Sequence, residues 1–247
     1  SVPLMTGTNK DELKLFLAQS PKFVERRFGI LPRVKDLAAY NRAAALYTDQ
    51  WKAYAVDEVA DIITAFSDMP VFAYRWDWDE GANTWLVNYA ELLGAGHGLE
   101  VAFVFNIFDG SGITAPGLYN EENIPGRDEL ARQIRSYWAA FARSGSPGRG
   151  RDGKLPEWRD WSADTANLML LDTNSDGGVR MVDQPMTVAM LKQRVIEDDN
   201  MTGLEQRCSI YADLFLKANP GDRFWKKDEY LELGCGDFNP WQLESTH

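Results

Sequence analysis

The sequence predicts an α/β fold with a mainly parallel sheet. Short apolar segments alternate with longer helical segments along the chain, which is typical of strand–helix–strand units. Of the 247 residues, 45% are hydrophobic and 12% are aromatic, so the chain can form a packed core and intrinsic disorder is excluded. No internal repeat or low-complexity linker requires a division into domains.

The first half of the sequence contains two predicted strands separated by helical sequence. Val2–Thr6 form an apolar run that ends at Gly7–Asn9, as expected for a buried strand that enters a loop. Residues 12–65 have apolar positions three or four apart, and we expect them to be mostly helical. Pro70 ends this pattern, and the aromatic alternation of Val71–Trp78 predicts a strand.

The second half contains one clear helix and one hairpin. Residues 99–108 are mostly apolar, and their pattern fits a strand or a buried helix equally well. Asp128–Arg143 place five large apolar side chains on one face and predict a helix. Asn167–Leu171 and Val179–Val182 flank a glycine-rich turn and predict a hairpin, and helix resumes from Pro185 onward.

Charge and composition exclude several classes of function. With 26 Lys and Arg against 37 Asp and Glu, the net charge is −11, which argues against a nucleic-acid partner. The longest apolar run is too short for a membrane span. Two histidines and two cysteines are too few for a multi-histidine or cysteine-based zinc site, so we expect no metal. Cys208 and Cys235 either form one disulfide or remain free thiols.

His97 is the strongest local candidate for chemistry. It lies between Gly96 and Gly98, it is the only internal histidine, and its ordinary pKa near neutrality suits proton transfer. A histidine base needs a third group that fixes its tautomer, and Glu12 follows a strand-to-loop junction where such carboxylates commonly lie. The alternatives are a surface-loop histidine and an acid in the first turn of a helix.

Two acidic segments have simpler interpretations. Asp77, Asp79 and Glu80 alternate with aromatic residues at a strand end, and we interpret them as a solvated edge rather than a metal site. Residues 172–183 nearly match a calcium loop, but such a loop needs flanking helices and these flanks are strand-like. No serine lies in a G-x-S-x-G motif, and there is no phosphate-binding loop.

Four segments resemble blocks of the type-B carboxylesterases, the family of the para-nitrobenzyl esterases and cholinesterases. In chain order they are VPLMTGTNKDEL, GAGHGLEVAFVF, SYWAAFARSGSP and LPEWRDWSADTANLMLLDT, and they occur in the order and with the spacing of the family. The resemblance covers about residues 1–185, with small departures at Gly96 and Gly148.

This resemblance implies an α/β-hydrolase fold and a Ser–Glu–His triad, with no cofactor. Glu12 falls on the triad acid and His97 on the catalytic histidine, while Glu100 falls on a carboxylate that supports the histidine loop. Tyr47–Trp51 fall on a "T-D-x-x-F" stretch. Trp51, Phe66 and Trp76 are candidates for the acyl pocket, although core packing explains such aromatic residues equally well.

The same resemblance aligns residues 1–247 with the C-terminal half of a single α/β-hydrolase domain, so the nucleophilic serine is expected on an N-terminal half that precedes Ser1. We therefore expect a serine carboxylic-ester hydrolase whose partners are that N-terminal half, cleaved or separate, and a small-molecule ester. The alternative is a non-catalytic cholinesterase-like interaction domain. Relatives of this family are often exported, which suggests a periplasmic or extracellular location.

Overall fold

The computed structural model describes residues 2–109, 116–162, 164–201, 203–217 and 223–244. The fold consists of two compact units, Ser1–Pro185 and Met186–His247, which are described separately below. The assignment of the whole chain to one domain stays a prediction.

The first unit contains six strands and six α-helices within the described residues. In chain order they are β1 (Leu4–Asn9), α1 (Lys14–Leu17), β2 (Val24–Arg27), β3 (Leu31–Val34), α2 (Leu37–Lys52), α3 (Glu58–Phe66), β4 (Val71–Trp76), α4 (Tyr89–Leu92), α5 (Glu100–Phe105), α6 (Ile124–Ser144), β5 (Asn167–Leu171) and β6 (Arg180–Asp183). A π-helical segment, Ala53–Asp57, connects α2 to α3.

The main sheet has the strand order β1-β4-β5-β6. β1 pairs with β4 and β4 with β5 in parallel, whereas β6 returns antiparallel to β5 as the predicted hairpin. The register of β1 and β4 runs from Leu4 opposite Val71 to Asn9 opposite Trp76. The predicted α/β class with a mainly parallel sheet is confirmed.

Both faces of this sheet are buried. Because side chains alternate along each strand, neighbouring residues of β4 point to opposite faces. Phe72 and Trp76 of β4 point to one face, where they pack in a core with helices α5 and α6. Val71 and Ala73 point to the other face, where Val56 of the π segment and Ala60 of α3 cover them. The sheet is therefore the middle layer of three.

Two sequence predictions about β1 and residues 12–65 are wrong in detail. β1 does not stop before Gly7 but continues to Asn9, because its pairing with β4 continues to Asn9 opposite Trp76. Glycine fits at position 7 because a Cβ there would approach carbons of the Tyr74 ring to 2.5 Å. Residues 24–34 are not helical. They form the antiparallel hairpin β2–β3, whose turn places Phe28 at φ 52° and Gly29 at φ 77°. Periodicity alone does not detect such a turn.

The other elements follow their local signals. The ambiguous segment 99–108 contains helix α5, which ends at Asn106 in a left-handed conformation with φ 57°. The clear helix is longer than predicted, extending over Ile124–Ser144, and it ends at Gly145 with φ 76°. The Asp36 side chain accepts a hydrogen bond from the Ala39 backbone N–H and caps the start of α2.

The second unit contains α7 (Val188–Glu197), α8 (Leu204–Ala212) and α9 (Lys227–Glu232), as the prediction of helix after Pro185 required. A disulfide joins Cys208 to Cys235, which settles the question that the sequence left open. Within the described part of the chain, no helix combines the length and apolarity that crossing a membrane requires.

A buried ion pair holds the π segment to the end of α2. The Lys52 Nζ donates to both Asp57 carboxylate oxygens, at 2.7 and 2.5 Å, and to the Gln184 carbonyl oxygen at 2.8 Å. Burial lowers the pKa of Lys52, although the Asp57 carboxylate opposes that change.

We expect Lys52→Met to lower the free energy of unfolding by about 3–5 kcal/mol, because it leaves the buried Asp57 carboxylate without this cation. The double variant Lys52→Met/Asp57→Leu should recover part of that loss, since it removes both charges. Urea denaturation followed by circular dichroism measures both values. A single variant as stable as the wild type would contradict the assignment.

Candidate active site

The site lies at the edge of the sheet where the neighbouring parallel strands β1 and β4 end. Glu12 follows β1 by three residues, and His97 lies in the connection between α4 and α5, downstream of β4. Backbone hydrogen bonds join the two loops, from the Asp11 N–H to the Ala95 carbonyl at 3.0 Å and from the His97 N–H to the Glu12 carbonyl at 3.3 Å. These bonds fix the backbone positions from which the Glu12 and His97 side chains extend.

Glu12 and His97 form a direct hydrogen bond. The distance between Glu12 Oε2 and His97 Nδ1 is 2.6 Å. The second carboxylate oxygen, Oε1, accepts from the Asn9 backbone N–H at 2.7 Å and from the Thr8 Oγ1 at 3.2 Å. With donors on both oxygens, the carboxylate is held in one orientation toward the imidazole.

The two partners differ in solvent access. Glu12 is only 4% exposed, whereas 41% of the His97 side chain is accessible. Burial raises the pKa of Glu12, and the hydrogen bonds from the Asn9 backbone and the His97 ring act in the opposite direction. The pair therefore combines a dry carboxylate with an imidazole that faces an accessible surface.

The second imidazole nitrogen is open for proton transfer. Nε2 of His97 has no hydrogen-bond partner among the residues that the structure describes, while Nδ1 is occupied by Glu12. A neutral imidazole that donates from Nδ1 to a carboxylate presents Nε2 as a proton acceptor. This arrangement can remove a proton from a hydroxyl group placed next to Nε2.

Two aromatic rings flank His97. Phe16 of α1 and Trp51 of α2 each have a ring centroid 5.5 Å from the imidazole centroid, with interplanar angles of 41° and 68°. Trp51 was a candidate from the sequence, and it does lie beside His97. Phe16 was missed, because a single apolar residue in a short helix carries no signal of its own.

Asn9 connects the histidine loop to helix α5. Its Nδ2 donates to the Gly96 carbonyl oxygen at 2.9 Å and to Glu100 Oε2 at 2.6 Å. Glu100 therefore supports the loop through Asn9, not through a contact with the imidazole. Sequence reasoning did not single out Asn9, although its position in the family block VPLMTGTNKDEL could have identified it.

The remaining aromatic candidates do not contact His97. Trp76 lies fully in the core, where its ring packs edge-on against Phe103 with centroids 5.0 Å apart. Phe66, at the end of α3, is among the most exposed large apolar side chains described. Core packing thus explains Trp76, as the alternative interpretation held.

The interpretation of residues 77–80 as a solvated edge is wrong for Asp77. This carboxylate is buried, and Arg75 donates to its two oxygens at 2.7 and 2.6 Å. The carboxylate is stable in the interior because Arg75 of β4 satisfies its charge, and alternation with aromatic residues does not reveal such a pairing. Asp79 pairs with Lys10 at 2.7 Å, and Glu80 accepts from Thr173 Oγ1 at 2.6 Å.

The segment that resembles a calcium loop is a turn between β5 and β6. The Arg180 guanidinium donates to the carbonyl oxygens of Asp176 and Gly178, and the flanks are strands. Across the described residues, no group of three or more His, Cys, Asp or Glu side chains is arranged to hold a metal ion. Burial raises the pKa of Asp172 to about 6.

We expect Asn9→Ala to lower the free energy of unfolding by about 1–3 kcal/mol, because it leaves the Glu100 carboxylate and the Gly96 carbonyl without their donor. Asn41→Ala is the matched control. Asn41 is exposed on α2, so this change should leave stability unchanged or slightly higher. Urea denaturation of the two variants tests this role, and equal effects would refute it.

Glu12 makes stability depend on pH. Its native pKa lies above the ordinary value of 4.5, so the folded chain binds this proton more tightly than the unfolded chain. The free energy of unfolding of the wild type should therefore fall relative to Glu12→Gln as pH rises from about 4.5. Denaturation curves at about pH 4 to 7 measure the free energy of unfolding of the wild type minus that of Glu12→Gln. A value that rises with pH would contradict the assignment.

The sequence model of the carboxylesterase family matches residues 31–190. The acetylcholinesterases of Danio rerio and Gallus gallus are 33% and 29% identical to this chain, over 39% and 53% of its length. Carboxylesterase 4A of Bos taurus is 36% identical over 38% of the chain. The matches span 13%, 18% and 14% of these three relatives.

Two solved structures align with part of this chain. A thermophilic PNB esterase aligns over 76% of this chain and 37% of its own, at 20% identity and a TM-score of 0.49. A carboxylesterase of Geobacillus stearothermophilus aligns over 74% and 38%, at 19% identity and a TM-score of 0.48. The family match contains three of the four motifs and confirms the family resemblance and, with it, the α/β-hydrolase fold class. This chain belongs to the carboxylesterase family.

Proposed function

We propose that this chain acts in a carboxylic-ester hydrolase, where it supplies the acid and the histidine of a Ser–Glu–His triad. Membership of the carboxylesterase family supports an esterase function in general. The observation that supports the specific roles is the 2.6 Å hydrogen bond between Glu12 and His97, with the accessible imidazole directing Nε2 away from the carboxylate.

The nucleophilic serine comes, in this proposal, from polypeptide outside the 247 residues. No serine of the chain lies in a G-x-S-x-G motif. Within the described residues, β1 is the last strand on its side of the sheet, so its outer edge is available to a further strand. A serine-bearing N-terminal half of the same esterase is the partner that fits both observations.

Hydrolysis then proceeds by acyl transfer. His97 Nε2 takes the proton of the serine hydroxyl as the serine oxygen attacks the ester carbonyl carbon, and the carbonyl oxygen becomes an oxyanion. When the carbon–oxygen bond to the alcohol breaks, His97 returns the proton to the departing alcohol oxygen. Water then attacks the carbonyl carbon of the acyl-serine while His97 takes its proton. The bond to the serine oxygen breaks, that oxygen takes the proton from His97, and the carboxylic acid leaves. Glu12 fixes the tautomer and stabilises the imidazolium through its contact with Nδ1.

The alternative is a non-catalytic interaction domain of the same family. An interaction domain has no use for a buried carboxylate held against an accessible imidazole, so the intact pair favours the enzyme. We also propose a periplasmic or extracellular location, and the disulfide between Cys208 and Cys235 supports an oxidising compartment.

The test is hydrolysis of p-nitrophenyl acetate by the complete esterase that contains this chain and its serine. His97→Ala should lower kcat by about three orders of magnitude or more, because triad members act as a unit. Glu12→Gln should also lower kcat strongly, since the amide cannot stabilise the imidazolium.

Glu91→Gln is the matched control for Glu12→Gln, because Glu91 is an exposed acid on α4, the helix that precedes the His97 connection. It should retain wild-type activity. A loss smaller than about tenfold in His97→Ala, measured on protein with wild-type circular dichroism, would remove His97 from the mechanism.

A further inference from the structure

We propose that the β2–β3 hairpin and a neighbouring loop form a docking surface for an anionic lipid membrane. This hairpin surface consists of residues 22–35 and 83–88. The protein lies on the membrane through it and does not cross the bilayer. The proposal does not rest on the esterase function, because membrane binding is measured without turnover.

The hairpin surface carries the most exposed large apolar side chains that the structure describes. Phe28 and Trp85 are each 92% exposed, and Ile30 is 72% exposed. Phe28 and Trp85 line the same cleft of about 470 Å³, so the turn of the hairpin and the segment 83–88 present their rings to one region of solvent. Exposed apolar side chains grouped in this way mark an interaction surface.

Phe28 occupies a backbone position that suits glycine or asparagine. Its φ is 52°, in the left-handed region, at the start of the three-residue turn 28–30. A phenylalanine there strains the backbone, and its exposed ring gains almost no packing in return. Neither the strain nor the exposure serves the fold, so a role in binding explains the presence of this ring.

The hairpin surface is basic although the chain is acidic. Residues 22–35 contain five Lys or Arg and a single acid, whereas the net charge of the chain is −11. The side chains of Arg26 and Arg33 are exposed and form no ion pair with any residue that the structure describes. Arg27 pairs with Glu25 at 3.7 Å, and both side chains are about half exposed. These guanidinium groups are therefore accessible to an anionic partner.

The shape of the hairpin favours a membrane over a protein partner. All three residues of the turn are exposed, and a Cβ at Gly29 would have no atom within 4 Å apart from its chain neighbours, so the turn projects into solvent. A projecting apolar tip with cations behind it matches the layers of a membrane, where rings reach the acyl boundary and guanidinium groups stay among the phosphates. Against a protein, Phe28 instead needs a matching pocket on the partner.

The acidity of the rest of the chain does not prevent this contact. At an ionic strength of about 0.1 M, exposed charges more than about 10 Å apart are largely screened, so the membrane interacts mainly with the charges nearest to it. Repulsion of the remaining surface selects the orientation in which residues 22–35 face the lipid. Binding should therefore weaken as salt is added.

The test is cosedimentation of the complete protein that contains this chain with vesicles of phosphatidylcholine, either pure or with about 30% phosphatidylglycerol. The wild type should bind the anionic vesicles at least about tenfold more tightly than the neutral ones. Arg26→Gln/Arg27→Gln/Arg33→Gln should lower the partition coefficient about 100-fold, because each cation near an anionic surface contributes about fivefold. Phe28→Ala and Trp85→Ala should each lower it about tenfold.

Phe28→Asn separates membrane binding from folding. Asparagine tolerates the left-handed conformation, so this variant should have the same Tm as the wild type or a higher one. It should nevertheless bind anionic vesicles about tenfold more weakly, because the ring is lost. Unchanged vesicle binding in this variant would overturn the proposal.

Two control variants test whether position matters. Phe66→Ala is the control for the apolar variants, because Phe66 is a similarly exposed ring at the end of α3. Arg143→Gln/Arg151→Gln/Lys154→Gln is the control for the loss of three charges, since these cations are exposed at the end of α6 and in the loop that follows. Each control should change vesicle binding by less than about threefold. Effects as large as those of the hairpin variants would overturn the proposal.

Three further results would also overturn it. Equal binding to neutral and anionic vesicles would exclude charge recognition, and binding to neither would exclude a membrane partner. If the hairpin variants convert a dimer to a monomer in sedimentation velocity while the wild type binds no vesicles, the surface joins two copies of the chain instead. Hydrolysis of p-nitrophenyl acetate and its loss in His97→Ala are measured separately, so either proposal can fail without the other.

Discussion

The parallel pairing of β1 with β4 is the constraint on which the site depends. Because parallel strands end at the same edge of a sheet, the segments that follow them enter the same region of space. Glu12 and His97 are separated by 85 positions in the sequence, yet their side chains meet at 2.6 Å. A shift of one residue in this register would turn the end of β1 to the other face of the sheet and separate the pair.

Polar side chains behind the pair convert this proximity into a fixed geometry. Asn9, the last residue of β1, uses its backbone N–H for Glu12 and its side-chain amide for Gly96 and Glu100. One residue therefore orients the acid and anchors the loop that carries the histidine. Because each of these groups is buried or half-buried, the loss of one donor exposes several unsatisfied partners at once.

Local signals in the sequence predicted most of the fold, and the family motifs predicted the pair. Alternation identified β4, and helical periodicity with a glycine stop identified α6, since both signals depend only on near neighbours. The β2–β3 hairpin was missed because its turn uses a left-handed Phe28, which no residue preference indicates. Burial of Asp77 and the contact of Phe16 with His97 depend on tertiary packing, so one sequence without its structure does not reveal them.

Burial of Glu12 also bears on how the proposed triad would gain rate. A carboxylate whose pKa is raised by burial is poorly stabilised as an anion while its neighbour is neutral. In the proposed mechanism, transfer of the serine proton to His97 places a cation 2.6 Å from this carboxylate, and the burial of Glu12 strengthens the attraction between them. The gain thus arises in the state that follows proton transfer rather than in the ground state, and interactions of that kind raise kcat. The stability that burial of Glu12 costs at neutral pH is the counterpart of this gain, because both follow from placing the same charge out of reach of water.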